Sequence, residues 1–198
     1  MSFLQQLQNK RSGLKPTTTT VTTATGKRFI EANSFTSTPV PLEEQTYGFI
    51  VDTKPDTVPA CILPELLYLG SQDAVNNENV GTFKITHILS VGIETPFLAN
   101  GEVQIKHVPC LDLPETKLLE NVIPETNAFI NEAKLSQGRV LVHCNAGVSR
   151  AASAVIGYLM LERGMPFDDA YSLVKLKREC IQPNVGFIKQ LKNLKIAD

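Results

Sequence analysis

The chain has 198 residues, 42% of them hydrophobic, enough for one domain of ordinary size with a buried core plus a tail. Its 19 basic and 20 acidic residues and a sequence pI near 6.3 argue against a broad nucleic-acid or membrane surface, leaving room only for a local basic patch. The apolar runs fall far short of a membrane span and residues 1–30 hold no signal-peptide-type core. With no C-x-x-C or framework spacing among Cys61, Cys110, Cys144 and Cys180, a reducing intracellular compartment is expected.

Residues 1–57 read as a flexible Thr/Pro-rich N-terminal tail. Positions 16–25 are Pro-Thr-Thr-Thr-Thr-Val-Thr-Thr-Ala-Thr, prolines recur at Pro39, Pro41 and Pro55, and apolar periodicity is weak. Short ordered pieces are expected around Phe29-Ile30 and from Tyr47 to Val51. A solvated tail is the preferred reading. A docking or phosphorylation segment is the alternative, because threonines lie close to Lys10, Arg11, Lys27 and Arg28.

From residue 58 to 198 the pattern is globular. Ile62-Leu63 and Leu66 to Leu69 predict a hairpin closed around Pro64-Glu65, and Ser71-Gln72-Asp73 caps a short helical stretch. Thr86 to Val91 and Gln104 to Val108 are buried-strand candidates. Leu118 to Leu135 has helical spacing despite Pro124, with Gly138 ending it, and Val140 to His143 is a further strand. Helices are predicted over 150–163, 167–178 and 185–195, punctuated by Gly164-Met165-Pro166 and Gln182-Pro183-Asn184. Strands alternating with helices, followed by a helical C-terminal half, indicate an α/β fold with helices on the faces of its sheet.

The chemistry concentrates in His143-Cys144-Asn145-Ala146-Gly147-Val148-Ser149-Arg150, between the predicted strand and the next helix. Backbone amides of Asn145, Ala146, Gly147, Val148 and Ser149 can line an anion-binding concavity at the helix N-terminus, and the same field favours the Cys144 thiolate. Arg150 can take two phosphate oxygens in its planar fork, and Gly147 permits close approach or a positive φ. Against this stand an inert buried thiol and a surface arginine. Both are disfavoured, since a cation at a helix N-terminus opposes the dipole unless an anion justifies it. The reading is a cysteine-dependent phosphatase with Cys144 as nucleophile.

A preformed thiolate needs no base, so His143 reads as structural support of the site rather than as a general base. The leaving oxygen needs an acid, and Asp112, on a loop just past the predicted strand ending at Val108, is the choice. Glu115 is the fallback, and Glu120 reads as an early-helix residue. His87, His107 and His143 lack metal-ligand spacing, and the chemistry calls for no metal or cofactor.

These residues resemble the protein tyrosine phosphatase superfamily, and within it the small, stand-alone dual-specificity phosphatases. The signature His-Cys-x-x-Gly-x-Ser-Arg is met at 143–150, and Asp112 precedes Cys144 by 32 residues, close to the family's spacing for its acid. Leu66-Leu67-Tyr68-Leu69-Gly70-Ser71, Ile85 to Val91, and Arg178 with Pro183-Asn184-x-Gly186-Phe187-x-x-Gln190-Leu191 are similar to its other motifs, so the resemblance spans roughly 58–195. It implies a central, mostly parallel sheet flanked by helices, with the phosphate-binding loop at its C-terminal edge. It also implies phosphoprotein substrates carrying phosphotyrosine and phosphoserine or phosphothreonine, with a tie to stress-activated MAP kinase signalling through MAP kinases or their upstream kinases. A monomer acting in the cytoplasm, and also in the nucleus, is expected.

Ala151 departs from the pattern. Members of the family mostly carry Ser or Thr there, a hydroxyl that assists breakdown of the phosphocysteine. A slow enzyme, or a phosphate-binding scaffold, is therefore the alternative, with Ser149 and Ser153 as the side chains that could compensate. The loop lacks the lysines of inositol-lipid phosphatases, the acidic pI and Ser149 disfavour an RNA 5′-phosphatase, and a rhodanese would need a differently spaced loop. Lys175, Lys177 and Arg178 either flank the substrate or form a solvated helix face. Cys110 and Cys61 read either as core residues or as resolving thiols for an oxidised Cys144.

Overall fold

Alternation along each strand decides which side of the sheet a side chain serves. The computed structural model describes residues 18–22, 28–32, 40–41, 56–96, 98 and 103–194. The chain divides into two compact units, Met1–Val51 and Asp52–Asp198.

In the first unit, β1 (Thr18–Thr22), β2 (Arg28–Ala32) and β3 (Val40–Pro41) form an antiparallel sheet in the order β1-β2-β3. The segment expected as a tail thus contains strand pairing, and β2 includes the piece expected at Phe29-Ile30. The piece expected at Tyr47 to Val51 lies outside the described residues.

The second unit holds a five-stranded sheet of β4 (Ala60–Leu63), β5 (Leu67–Gly70), β6 (His87–Val91), β7 (Gln104–Val108) and β8 (Val140–His143), ordered β4-β5-β8-β6-β7. Only the β4–β5 hairpin is antiparallel; β5, β8, β6 and β7 run parallel, as expected for this fold class. The predicted turn at Pro64-Glu65 is present, with Glu65 at φ 61°. Leu67, Leu69, Leu89, Val140 and Val142 join the larger core on one face, while Tyr68, Ile88 and Leu141 join a smaller cluster on the other.

A short helix α1 (Asn77–Thr82), capped by Asn76, packs its Val80 into the smaller cluster. The larger one is built with α2 (Ile123–Leu135), α3 (Arg150–Arg163), α4 (Phe167–Lys177) and α5 (Val185–Lys192). Residues 151–160 of α3 are all buried, so this helix is a core element that meets solvent mainly in its last turn, Leu161 to Arg163.

Two expectations need correction. Gln104–Val108 is an edge strand with Val108 alone buried, because it pairs with β6 on one side only. The helix predicted from Leu118 begins as one wide turn over Leu118–Val122, closed by the Ile123 N–H on the Leu118 carbonyl. The α-helix starts only at Ile123, where Pro124 in the first turn loses no helical hydrogen bond. At its far end Gly138 ends the helix as expected, its N–H closing on the Ala133 carbonyl at 2.7 Å after Gln137 takes the left-handed position at φ 54°.

Parallel pairing aligns the C-terminal ends of β5, β8 and β6, with Gly70, His143 and Ser90 in register, and Val91 beside Val108 on β7. The segments leaving these strands therefore emerge along one edge: Ser71-Gln72, Gly92, Cys110 to Asp112, and Cys144 onward. Such an edge is where open α/β sheets build sites.

Candidate active site

The loop after β8 turns its carbonyls outward, and each meets a donor. The Asn145 carbonyl accepts from the Gln72 N–H (2.9 Å) and the Val148 carbonyl from the Gln182 N–H (2.9 Å). Between them, Ala146 and Gly147 accept from Nη2 and Nε of Arg178 at 2.9 and 3.0 Å. In a planar trans peptide the N–H points opposite to the C=O, so the amides of Ala146, Gly147, Val148 and Ser149 face the other way, into the loop. Amides turned inward in this way form the kind of concavity that accepts an anion. Gly147 sits at φ 64°, and a Cβ there would strike the Gly70 carbonyl. The positive φ expected for that glycine is present, and the close approach seen is to the Gly70 carbonyl.

Cys144 opens the loop and is 2% exposed. Arg150 starts α3 and turns back: Nη1 donates to the Gly92 carbonyl at 3.0 Å, and Nε lies 3.8 Å from Oδ2 of Asp112. This arginine is no surface residue. Gly92 (φ 78°) leaves no space for a Cβ, which would collide with the Cys110 carbonyl and crowd Arg150 Nη1. Sequence reading missed this position. Its signal is a lone glycine directly after a buried strand, at the sheet edge that carries the site.

Asp112 is brought to the same place. Its Oδ1 accepts from Ser149 Oγ at 2.6 Å and from Asn184 Nδ2 at 2.7 Å. Glu115 and Glu120 stay exposed, so the fallback acid Glu115 does not join the cluster, and Glu120 pairs with Lys117 at 2.9 Å. The closing motif ties the two loops together. The Asn184 N–H donates to Ser149 Oγ, while its Oδ1 caps α5 on the Phe187 N–H. Gln190 accepts from the Leu118 N–H and donates to the Thr116 carbonyl, which steadies the segment following Asp112.

The basic run at the end of α4 needs correction. Arg178 is buried beneath the loop and ion-paired with Asp56, and Lys175 donates to the Ile181 carbonyl at 2.8 Å. Lys177 alone fits a solvated face. The described part of this unit begins at Asp56, two residues before the boundary expected at 58.

His143 is fully buried on β8, and neither ring nitrogen has a hydrogen-bond partner among the described residues. Burial pushes it down to about 4, opposed in part by the nearby Cys144 backbone. It therefore stays neutral at neutral pH, in keeping with a supporting role. Unfolded chains take up this proton near pH 6.5 and folded ones only near 4, so acid favours unfolding. Its contribution should be constant above about pH 7 and fall by on the order of 3 kcal/mol between pH 6.5 and 4. Urea unfolding across that range should show a shallower pH dependence in His143→Gln than in the native chain. Equal slopes would contradict the assignment.

Ala151 is completely buried, and neither candidate serine replaces its missing hydroxyl. Ser149 Oγ gives its proton to Asp112, and Ser153 Oγ gives its own to the Ser149 carbonyl at 2.8 Å. Burial pushes the Cys110 thiol up to about 11 against the opposing pull of Arg150, which leaves it protonated and a poor resolving thiol. Cys61 is half-buried on β4. Among the described residues no His/Cys/Asp/Glu group could hold a metal ion, and no helix is long and apolar enough to cross a membrane.

Residues 67–196 match the family model "Dual specificity phosphatase, catalytic domain". The chain is 44% identical over 194 residues to dual specificity protein phosphatase 19 of Mus musculus, covering 94% of this chain and 86% of that protein. Among solved structures, human DUSP28 superposes with a TM-score of 0.63 at 30% identity, over 71% of this chain and 92% of that one. The human tyrosine phosphatase-like serine/threonine/tyrosine-interacting protein superposes with a TM-score of 0.62 at 32% identity, over 68% of this chain and 93% of that one.

Proposed function

The chain belongs to the dual specificity phosphatase family, and we propose that it hydrolyses phosphotyrosine and phosphoserine or phosphothreonine in proteins through a phosphocysteine on Cys144. The observation that carries this reading is the loop with its carbonyls held outward and its amides inward, beginning at a cysteine and ending at Arg150.

In the first step the Cys144 thiolate attacks phosphorus. The S–P bond forms as the P–O bond to the substrate breaks, and Asp112 delivers a proton to the departing oxygen. The oxygen that Ser149 and Asn184 leave unengaged, Oδ2, is the one suited to carry that proton. The loop amides and the Arg150 fork hold the three non-bridging oxygens as charge redistributes among them. In the second step water attacks phosphorus, Asp112 takes its proton, the S–P bond breaks, and inorganic phosphate leaves.

The family supports phosphoprotein substrates. MAP kinases of the stress-activated pathway, or the kinases above them, are the candidates, met by a monomer in the cytoplasm and nucleus. The domain organisation goes with this reading: the unit Asp52–Asp198, which takes in Asp56 and Thr57 ahead of the boundary expected at 58, carries catalysis, and the segment before it serves as an appendage.

A second reading, a phosphate-binding scaffold with slow turnover, rests on Ala151. With the Ser149 and Ser153 protons committed elsewhere, dephosphorylation of Cys144 should be the slow step. Rapid-quench assays on paired phosphotyrosine and phosphothreonine peptides should show a burst of dephosphorylated peptide followed by slow turnover. Ala151→Ser should raise the steady rate about 10²-fold and shrink the burst. Neither burst nor turnover on any phosphopeptide would favour the scaffold.

A further inference from the structure

We infer that Arg178 and Asp56 are positioning residues for the phosphate loop, with Arg178 locking two of its peptides in the anion-binding orientation and Asp56 locking Arg178. The inference rests on reading 144–150 as a phosphate-binding loop. Two of the four outward carbonyls, those of Asn145 and Val148, accept from backbone N–H groups that side-chain substitution leaves in place. The other two depend on one side chain. Arg178 leaves the end of α4 in an extended conformation, is 7% exposed, and fits its planar fork to adjacent carbonyls, Nε on Gly147 and Nη2 on Ala146.

This clamp matters most at Gly147. The glycine is required beside Gly70, yet its missing Cβ removes the barrier that would otherwise keep the following peptide from flipping. A flip there would point a carbonyl at the phosphate in place of an N–H. The Nε bond from Arg178 opposes it.

Asp56 supplies the counter-charge, with its carboxylate bonded to Nη2. Its backbone is anchored in turn: Ser71 Oγ donates to the Asp56 carbonyl at 2.7 Å, and Asn79 Nδ2 donates to the Thr57 carbonyl at 2.6 Å. The chain around Asp56 is thereby fastened to the end of β5 and to α1, both fixed parts of the sheet layer.

The test uses the full chain with Asp56→Asn, Arg178→Lys and the double variant. It reads inorganic-phosphate affinity by calorimetry, KM and kcat on para-nitrophenyl phosphate, and Tm. Asp56→Asn should weaken phosphate binding about tenfold and Arg178→Lys at least as much, with KM rising in proportion and kcat staying within about threefold. Since Asp56 acts through Arg178, adding Asp56→Asn to Arg178→Lys should change little further. A lower Tm with native phosphate affinity and KM would reduce the pair to scaffolding and overturn the inference, as would fully additive losses. If the native chain itself bound no phosphate, the reading of the loop and this inference would fall together. Native binding retained in the variants would sink this inference alone.

Discussion

Replacing Cys144 with serine should cut turnover by at least about 10⁴-fold while leaving inorganic phosphate bound. A serine hydroxyl is not ionised at neutral pH. His143 is buried inside β8 with its ring held neutral and is assigned a supporting role. The elements proposed to bind the anion are a different set: amides oriented by Gln72, Gln182 and Arg178, and the guanidinium of Arg150. The substitution leaves all of these in place. Calorimetry with phosphate and a phosphopeptide assay on the same preparation separate the two effects. Activity surviving in Cys144→Ser would remove the nucleophile from the account.

Asp112→Asn should lower kcat/KM, which reports the step that expels the leaving group, about 10²- to 10³-fold on phosphothreonine peptides. The amide oxygen can still accept from Ser149 and Asn184, so the loop stays in position and only the transferable proton is lost. The penalty should shrink on para-nitrophenyl phosphate, whose leaving group departs as a stable anion without protonation. That dependence on leaving group distinguishes a proton donor from a residue that merely holds the loop. Equal losses on both substrates would indicate the latter, and unchanged activity would move the acid role to Glu115 or to solvent.

Much of the site was legible in the chain because it is local. Cys144 to Arg150 is one uninterrupted run, and the strand before it and the helix after it announce themselves by apolar pattern. Asp112 was legible through its place just past a strand and the family spacing. What lies beneath the loop was not. Arg178 stands one residue after Lys177 and near Lys175, so by composition it fitted a substrate-flanking or a solvated face equally well; its burial depends on α4 ending where it does. Asp56 falls in a segment that reads as tail, and its partner is 122 residues away. Neither end of such a pair marks the other. Ser149 and Ser153 illustrate a further limit: spacing made both candidates for the hydroxyl absent at Ala151, but only coordinates show where their protons go. The edge position of Gln104–Val108 was likewise hidden, because its apolar content fits a strand while the number of its neighbours is set by topology.

The central claim is a covalent phosphoryl group on Cys144. Mixing the full chain with excess phosphotyrosine peptide, quenching in acid within the burst, and analysing proteolytic fragments by mass spectrometry tests it directly. The account predicts a near-stoichiometric phosphoryl group on the fragment containing Cys144, formed faster than steady turnover and absent from Cys144→Ser. Release of phosphate with Cys144 unmodified throughout, or a phosphoryl group on any other residue, would contradict it.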